Sequence, residues 1–304
     1  MNTVYFDSNM PCTARRQQLY AGQLFVFSPT ESTRALCDFA RSLIREAFAP
    51  LDPELAQHSL SVERYAGILG ELKPKFIHHD ESKRLIRAVL AELECDLGKE
   101  YFDVPKMRSS TSDGYLTTGI AYAWHPHRDT WYSAPTCQLN WWLPIFAIEQ
   151  NNAMAFHPLC WDRPVANTSA DYNYYRWNKM HRGKHVAKLI GQDPRPLPRA
   201  SEPLEREPEL RIVCEPGGLI LFSSAQMHSS VPNTSGRTRF SMDFRTVNLD
   251  DLVARRGAPN FDSACTGTTL RDYMRATDLS RIPDEIVAAY DDGSAAEGDL
   301  VYRA

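Results

Sequence analysis

The sequence predicts an α+β protein, or an all-β core with helical additions, and three observations support this prediction. Helical patterns fill the first hundred residues, strand patterns dominate 101–160 and 211–248, and a long polar insert separates the two strand groups. Helices and strands are therefore segregated along the chain, whereas a parallel α/β sheet needs them to alternate. No GxGxxG or GxxxxGK[ST] motif is present, so the nucleotide-binding folds lose support.

The N-terminal helices are predicted from apolar side chains that recur near helical spacing. Ser and Thr residues ahead of the first segment are suitable helix caps. In the third segment, Leu85, Val89, Leu93 and Leu97 lie four apart, which places them on one helix face. The predicted helical segments are SPTESTRALCDFARSLIREAFAP, VERYAGILGEL and ESKRLIRAVLAELECDLGKEYF.

The strands are predicted from short β-branched and aromatic runs that Pro and Gly interrupt. Alternation is clearest in RTRFSMDFRTV, where Arg239, Ser241, Asp243 and Arg245 share one face and apolar residues dominate the other. A solvated strand shows this pattern too, but the charged face can also line a cavity. The predicted strand segments are TTGIAYAWH, CQLNWWLPIF, NNAMAF, ELRIVCEPGGLILFSS and RTRFSMDFRTV.

We expect a single domain over residues 1–304. Residues 1–100 form a helical support, 101–248 form the strand-rich core, and 249–304 form a helical extension with one helix at PDEIVAAY. The core contains an insert, 161–210, that is rich in Pro, Arg and Tyr. An insert of this size in a compact domain is usually functional or disordered, and here we expect a lid.

Composition excludes several classes of function. The formal net charge of -4 gives no basic footprint for nucleic acid, and no apolar run is long enough for a membrane helix. The first residues lack the apolar region of a signal peptide. Seven scattered cysteines without a CxxC pair argue against a disulfide framework and a cysteine zinc site. We therefore expect a cytoplasmic protein that binds neither nucleic acid nor a membrane.

A metal site is predicted from the segment AWHPHRDTWY. In a strand, His127 and Asp129 are two residues apart and point to the same face, so an imidazole and a carboxylate can meet at one ion. A facial triad needs a second histidine and leaves positions open for substrate and oxygen. His228, which follows a Gly-Gly turn and an apolar strand, is the candidate.

Two other histidine motifs compete with this assignment. In His125-Pro126-His127 the two imidazoles also share a face, so His125 is an alternative to His127 as a ligand. His78-His79-Asp80 is a second HxD sequence, but it stands just before a predicted helix, where Asp80 is better explained as an N-cap.

Arg239 and Ser241 complete an ordered set of motifs. The planar guanidinium of Arg239 is suited to bind a carboxylate through two parallel hydrogen bonds, and Ser241 can donate another. HxD, a distal histidine and Arg-x-Ser in this order resemble the Fe(II)/2-oxoglutarate-dependent dioxygenases. The N-terminal helices and the segment NNAMAFHP are most similar to the phytanoyl-CoA dioxygenase branch. The turn His157-Pro158-Leu159-Cys160 departs from the Pro-Gly-Ser-His turn of that branch.

The resemblance covers residues 101–248 and implies a double-stranded β-helix, a jelly-roll, cupin-like barrel. It implies Fe(II) and 2-oxoglutarate as cofactors and O2 as cosubstrate. Fe(II) is held by His127, Asp129 and His228, and the far carboxylate of 2-oxoglutarate is held by Arg239. The further candidates are Ser241 and Gln138 for the cosubstrate, and Trp131, Tyr132, Asn140 and Tyr175 for the substrate.

The expected reaction is oxidation of a C–H bond in a small polar metabolite or an intermediate of specialised metabolism. Hydroxylation is the first expectation, and desaturation, epoxidation or cyclisation are also open. Halogenation is disfavoured because it needs a small residue where Asp129 stands. The alternative is a non-redox cupin-like metal-binding protein or isomerase, which has no need for a carboxylate anchor such as Arg239.

Overall fold

A computed structural model describes residues 3–121, 125–182 and 186–291. The strands are β1 (Val4–Phe6), β2 (Leu24–Phe27), β3 (Glu100–Phe102), β4 (Lys106–Ser110), β5 (Leu139–Pro144), β6 (Met154–Phe156), β7 (Leu210–Ile212), β8 (Leu219–Ser223), β9 (His228–Ser230), β10 (Arg239–Asn248) and β11 (Met274–Arg275). The α-helices are α1 (Cys12–Tyr20), α2 (Glu31–Phe48), α3 (Val62–His78), α4 (Asp80–Glu92), α5 (Tyr174–His181), α6 (Leu249–Val253) and α7 (Asp284–Ala288).

The strands form two sheets. The larger sheet has the order β1-β2-β8-β5-β10-β3-β11. Strand β4 pairs with the first half of β10, and β3 pairs with the end of β10 along the same edge. The smaller sheet has the order β7-β6-β9. Strand β10 is antiparallel to β5, with Ser241 opposite Pro144 and Thr246 opposite Leu139. The longest strand is therefore paired along both edges, which holds its side chains in a defined register.

Alternation along the central strands separates two apolar layers. Phe240, Met242 and Phe244 of β10 belong to the main core, together with side chains of α2, α3 and α4. Alternate residues of β8 divide between the layers: Leu221 joins the main core and Phe222 joins a second cluster with residues of the smaller sheet. The order of layers is thus helices, larger sheet, smaller sheet, and the polar face of β10 is turned away from the helices.

The helical layer is built from capped, amphipathic segments. Thr30 and Thr33 form a reciprocal capping box at the start of α2, and Ser61 caps α3. On α2, Leu36, Ala40 and Leu43 are buried at helical spacing. These predicted helices are confirmed. The third, α4, is shorter than the sequence pattern suggests: it ends at Glu92, and part of the remaining predicted segment forms β3.

Two sequence expectations about strands are corrected. The first hundred residues are not wholly helical, since β1 and β2 extend the larger sheet beside β8. Four consecutive buried residues in β2 give no alternation that could mark it as a strand. The predicted strand TTGIAYAWH has turns over residues 117–121, and its residues 122–124 lie outside the described part of the chain.

The closed barrel is the part of the predicted architecture that the strand pairings do not show. Among the described residues no strand pairing joins the two sheets, and the larger sheet remains open. His127, which lies outside the named strands, forms an isolated bridge with His228 of β9. The fold is therefore a mixed α/β arrangement with one large sheet. None of the described helices combines the length and apolar character that a membrane span requires.

Candidate metal centre

The backbone brings His127 and His228 together. The amide of each donates to the carbonyl of the other at 3.0 Å, so the two residues form one antiparallel pair. Asp129 begins a short 3-10 turn that ends at Tyr132. The expectation that His127 and Asp129 lie on a regular strand is therefore wrong. The bridge and the turn nevertheless aim both side chains at one point, and the distant His228 meets them there.

The three side chains present atoms suited to one metal ion. Asp129 Oδ1 is 3.4 Å from His127 Nε2 and 3.8 Å from His228 Nε2. Both distances are below the roughly 4.2 Å that two metal–ligand bonds of about 2.1 Å can span. The candidate ligand atoms all lie within 4.8 Å of one another. Two imidazoles and one carboxylate are the donors of a facial triad, which is typical of iron binding.

Backbone carbonyls orient both imidazoles. His127 Nδ1 lies 2.7 Å from the carbonyl oxygen of His125, and His228 Nδ1 lies 2.9 Å from that of Gln226. A carbonyl can only accept a hydrogen bond, so each Nδ1 carries the proton in this arrangement. The unprotonated Nε2 of each neutral ring then faces Asp129, as metal ligation requires.

The charge states follow from burial and from neighbouring charges. Burial lowers the pKa of His228 to about 4, so this imidazole is neutral at physiological pH and keeps its lone pair. Burial also opposes ionisation of Asp129, but its neighbours His127, His228 and Arg245 hold the pKa of Asp129 well below its ordinary value. With both imidazoles in the neutral form that metal ligation requires, the site offers one anionic and two neutral ligands.

Two further side chains, Gln138 and Tyr273, hold the Asp129 carboxylate in place. Gln138 Nε2 donates to Asp129 Oδ2 at 3.2 Å, and the Tyr273 hydroxyl donates to Gln138 Oε1 at 2.7 Å. This arrangement leaves Asp129 Oδ1 directed at the two imidazoles. Gln138 was expected to contact the cosubstrate, and in the structure it contacts a metal-ligand candidate instead. Tyr273, beyond the strand-rich core, carries no motif by which sequence reasoning could find it.

Arg128, between the two ligand candidates, points the other way and is fully buried. Its Nε donates to Asp262 Oδ2 at 3.1 Å and its Nη2 donates to the carbonyl of Arg163 at 2.9 Å. The same guanidinium donates to the carbonyls of Cys160 and Ala225. The middle residue of HxD thus anchors the metal segment to three other parts of the chain.

Arg239 and Ser241 lie on the polar face of β10 with unused hydrogen-bonding atoms. Arg239 is 5% exposed, and its Nη1 donates to the carbonyl of Asn152 at 3.1 Å. Arg239 Nε and the buried Ser241 Oγ have no partner among the described residues. Burial lowers the pKa of Arg239 to about 10, so it remains a cation at neutral pH. A buried cation without a carboxylate partner is costly unless an anion binds to it.

The neighbouring residues on the same face are paired. Arg108 Nε and Nη2 donate to the two oxygens of Asp243 at 2.6 and 3.1 Å, and Arg245 Nη1 donates to the same carboxylate at 3.0 Å. Arg245 also forms an ion pair with Asp103 at 3.2 Å. Arg237, which precedes β10, lies beside Glu54 at 3.6 Å.

The metal-ligand candidates and Arg239 line one cavity of about 640 Å³. The wall opposite β10 includes residues of the 161–210 insert, among them Tyr172, Trp177 and Arg195. The insert contains α5, which begins after Asn173, whose side chain accepts from the amide of Arg176. The described part of the insert therefore contributes an aromatic and polar wall to the cavity.

The structure divides the substrate-binding candidates. Tyr132 and Asn140 line the cavity, whereas Trp131 and Tyr175 do not. Trp131 is fully buried and donates through Nε1 to Asp262 at 2.7 Å, and the Tyr175 hydroxyl donates to Asp291 at 3.1 Å. Remote carboxylates hold these polar tips away from the cavity, so a substrate-binding role for either residue stays a prediction that the cavity lining does not support.

The competing histidine motifs have structural explanations. His79, and not Asp80 as expected, caps α4 by accepting from the amide of Glu81. The His78-His79-Asp80 motif is absent from the metal-competent groups found among the described residues. His125 supplies its backbone carbonyl to His127, and its side chain is likewise outside the three-residue group.

The fold and the triad define a protein with a two-histidine, one-carboxylate metal centre of the kind used by non-heme iron enzymes. A family model described as phytanoyl-CoA dioxygenase (PhyH) matches residues 20–241. The chain therefore belongs to the phytanoyl-CoA dioxygenase family. No curated protein matches the sequence significantly.

Several solved structures are similar to this chain. EvdO2 from Micromonospora carbonacea var. aurantiaca, complexed with 2-oxoglutarate, is 10% identical, with 79% of this chain and 92% of that chain covered and a TM-score of 0.43. The epimerase SnoN, in complex with Fe3+, alpha ketoglutarate and nogalamycin RO, is 14% identical, with coverage of 84% and 97% and a TM-score of 0.40. The non-heme monooxygenase ThoJ in its apo form is 14% identical, with coverage of 71% and 70% and a TM-score of 0.37. At these TM-scores the similarities carry no further inference.

Proposed function

We propose that this protein is an Fe(II)- and 2-oxoglutarate-dependent oxygenase that oxidises a C–H bond of a small polar metabolite. Hydroxylation is the reaction proposed. One observation carries the proposal: a ligand-competent His127-Asp129-His228 triad shares its cavity with a buried arginine, Arg239, that forms no ion pair with any of the described residues. A metal site alone serves many reactions. A carboxylate anchor in the same cavity is what a chelating dicarboxylate cosubstrate requires.

The residues fit Fe(II). His127 and His228 would supply neutral Nε2 ligands, and Asp129 would supply an anionic oxygen. Gln138 and Tyr273 would keep that carboxylate in place. When bound, iron with 2-oxoglutarate supplies activation of O2 and oxidation of an otherwise unreactive C–H bond. The two facing sheets are, in this proposal, the two halves of the expected jelly-roll barrel.

The residues also fit 2-oxoglutarate. Arg239 Nε and Ser241 Oγ are buried donors with no partner among the described residues, and an incoming carboxylate would accept from both. Trp142 flanks the Arg239 guanidinium at 5.7 Å from its ring centroid, which restricts the directions from which a ligand can approach. Arg239 thus binds and orients one carboxylate of 2-oxoglutarate, while the other end of 2-oxoglutarate remains at the triad.

The substrate is proposed to bind beside the triad under the 161–210 insert. Tyr132 and Asn140 reach this space from the metal side, and Tyr172 and Trp177 reach it from the insert. Flat apolar walls with polar tips bind a small molecule and orient it through a few hydrogen bonds. The same walls exclude water from the reacting atoms. An intermediate of specialised metabolism is the substrate class proposed here.

Metal loading and cosubstrate turnover test the proposal. The purified protein is loaded anaerobically with Fe(II), bound iron is measured, and succinate release from 2-oxoglutarate is followed after O2 addition across a panel of small metabolites. We expect one iron per chain and substrate-stimulated succinate release. His127→Ala, Asp129→Ala and His228→Ala should each remain folded by circular dichroism but lose iron and turnover.

His125→Ala is the matched control, because His125 contributes a backbone carbonyl that the substitution retains. It should keep iron binding. Full iron occupancy and turnover in His127→Ala would show that the ligand assignment is wrong, and His125 would then be the alternative metal ligand. Iron binding without any 2-oxoglutarate binding or consumption would instead support the non-redox alternative, a cupin-like binding protein or isomerase.

A further inference from the structure

Two cysteines remote from each other in sequence meet in the helical layer. The Sγ atoms of Cys12 and Cys95 are 3.6 Å apart, although 83 residues separate them in the chain. Cys12 is the first residue of α1, and Cys95 lies in the connection between α4 and β3. Cys95 is buried and belongs to the main core, whereas Cys12 is partly exposed. The pair therefore lies on the helix side of the larger sheet, away from the metal cavity.

The surroundings of Cys12 favour its thiolate. Arg16 Nη1 donates to Cys12 Sγ at 3.5 Å, and Arg15 Nη2 lies 3.9 Å from Cys95 Sγ. The start of a helix adds a positive electrostatic potential. The hydrogen bond with Cys95 and these two arginines outweigh burial and lower the pKa of Cys12 to about 6. Two acids lie nearby: Glu100, whose pKa burial raises to about 7, and Asp251, whose carboxylate accepts from Arg16 Nε at 2.6 Å.

Cys95 has the opposite character. Its hydrogen bond with Cys12 and its burial raise its pKa well above the ordinary value, so it remains a thiol when Cys12 is ionised. A thiolate with access to solvent, next to a protonated thiol in the interior, is the arrangement in which oxidation of the first thiol is resolved by the second.

We propose that Cys12 and Cys95 are an oxidisable thiol pair that hydrogen peroxide converts into a reversible disulfide. The pair is distinct from the metal centre, since neither cysteine lines the cavity. The disulfide joins the start of α1 to the connection between α4 and β3, and so closes a long loop of the chain.

The reaction balances in two steps. The Cys12 thiolate attacks one peroxide oxygen, an S–O bond forms, the O–O bond breaks, and the released hydroxide takes up a proton to become water. The sulfur of Cys95 then attacks the sulfur of the Cys12 sulfenic acid. An S–S bond forms, the S–O bond breaks, and the departing hydroxyl leaves as water with the Cys95 proton. Two thiols lose two electrons in total, and one peroxide is reduced to two waters.

No second pair of cysteines lies within hydrogen-bond distance among the described residues. Burial raises the pKa of Cys37 to about 12, and it raises the pKa of Cys160 as well. Cys214 is also partly exposed, but burial raises its pKa to about 12 and no other cysteine lies within hydrogen-bond distance among the described residues. Cys214 is therefore the matched control for exposure without activation.

Alkylation of the reduced protein tests the first half of the proposal. The protein is treated briefly with N-ethylmaleimide over a pH series, and modification of each cysteine is quantified by peptide mass spectrometry. Cys12 should react at least tenfold faster than Cys214 at pH 7, with a midpoint near pH 6. Modification of Cys12 no faster than that of Cys214 would overturn the assignment.

Oxidation with hydrogen peroxide tests the second half. After treatment and blocking of free thiols, a linked peptide pair containing Cys12 and Cys95 should appear, and dithiothreitol should remove it. Cys214→Ser should form the link normally. Cys95→Ser should fail to form it and should instead carry a Cys12 sulfenic acid that dimedone traps. Absence of the linked pair in the wild-type protein, or an equal yield of other pairs, would contradict the proposal. Neither readout depends on iron or on 2-oxoglutarate.

Discussion

The polar face of β10 has two halves that differ in how their hydrogen bonds are satisfied. In the half nearer the start of the strand, Arg239 Nε and Ser241 Oγ are buried and have no partner among the described residues. In the other half, Asp243 accepts from both Arg108 and Arg245. Residues 239, 241, 243 and 245 lie on the same face of one strand, so the difference does not arise from the backbone.

Under the proposed function, this difference separates a binding surface from a scaffold. Buried polar groups in folded proteins almost always have partners, and the few that lack one need an explanation such as a ligand. Asp243 and its two arginines satisfy each other and gain nothing from a bound carboxylate. Arg239 and Ser241 would gain hydrogen bonds that the described residues do not provide. Substitutions in the first half should therefore alter ligand affinity, and substitutions in the second should alter stability.

The largest effect is expected from Arg239→Ala. Loss of one partner of a buried charge-assisted pair weakens binding by about 2–5 kcal/mol, which is an increase of about 30-fold or more in the 2-oxoglutarate dissociation constant. The free energy of unfolding should change little or rise, because an uncompensated buried cation is removed. Calorimetric titration of 2-oxoglutarate into the anaerobic Fe(II) protein measures the first quantity, and urea denaturation measures the second.

Arg237→Ala is the control for Arg239→Ala. Arg237 precedes the same strand, but its side chain is exposed and forms a long ion pair with Glu54 at 3.6 Å. Such pairs contribute about 0–1 kcal/mol, so affinity for 2-oxoglutarate should be nearly unchanged. Equal losses of affinity in Arg239→Ala, Arg237→Ala and Arg245→Ala would contradict the division of the face into two halves.

A smaller effect of a different kind is expected from Asp243→Ala. The substitution leaves Arg108 and Arg245 without their shared carboxylate, and breaking a buried pair in this way costs about 3–5 kcal/mol. The side chains here retain 16–32% exposure toward the cavity, so screening reduces the expected loss of unfolding free energy to about 2–3 kcal/mol. Urea denaturation provides the measurement. Asp243→Asn keeps the shape of the side chain and loses its charge, so its free energy of unfolding should lie between those of the wild type and Asp243→Ala.

The strand and the ligand candidates could be predicted from sequence because they depend on local spacing. Alternation in β10 requires only that neighbouring side chains point to opposite faces. HxD, the distal His228 and Arg239 are recognisable as residue types in order. Their meeting point depends on the His127–His228 bridge, which the chain forms between segments far apart and which no local pattern reveals.

The partners of these residues could not be predicted, because they come from unrelated segments. Arg108 satisfies Asp243 from β4, and Tyr273 holds Gln138 from the C-terminal region. The same limitation explains why the sequence does not show that Trp131 and Tyr175 lie outside the cavity lining. An aromatic residue near the metal segment looks the same in sequence whether it lines a cavity or, like Trp131, is held elsewhere by Asp262.

The smallest effect, and the sharpest test of the comparison, is expected from Ser241→Ala. The buried hydroxyl has no hydrogen-bond partner among the residues that the structure describes, so its removal should leave the free energy of unfolding unchanged or slightly higher. If the hydroxyl donates to bound 2-oxoglutarate, its loss should cost about 0.5–1.5 kcal/mol of binding, an increase of about 2- to 12-fold in the dissociation constant. The same calorimetric titration and urea denaturation apply. A hydroxyl that serves the fold would show the reverse pattern, with lower stability and unchanged affinity. That result would place Ser241 with the scaffold half of β10 and leave Arg239 as the anchor on its own.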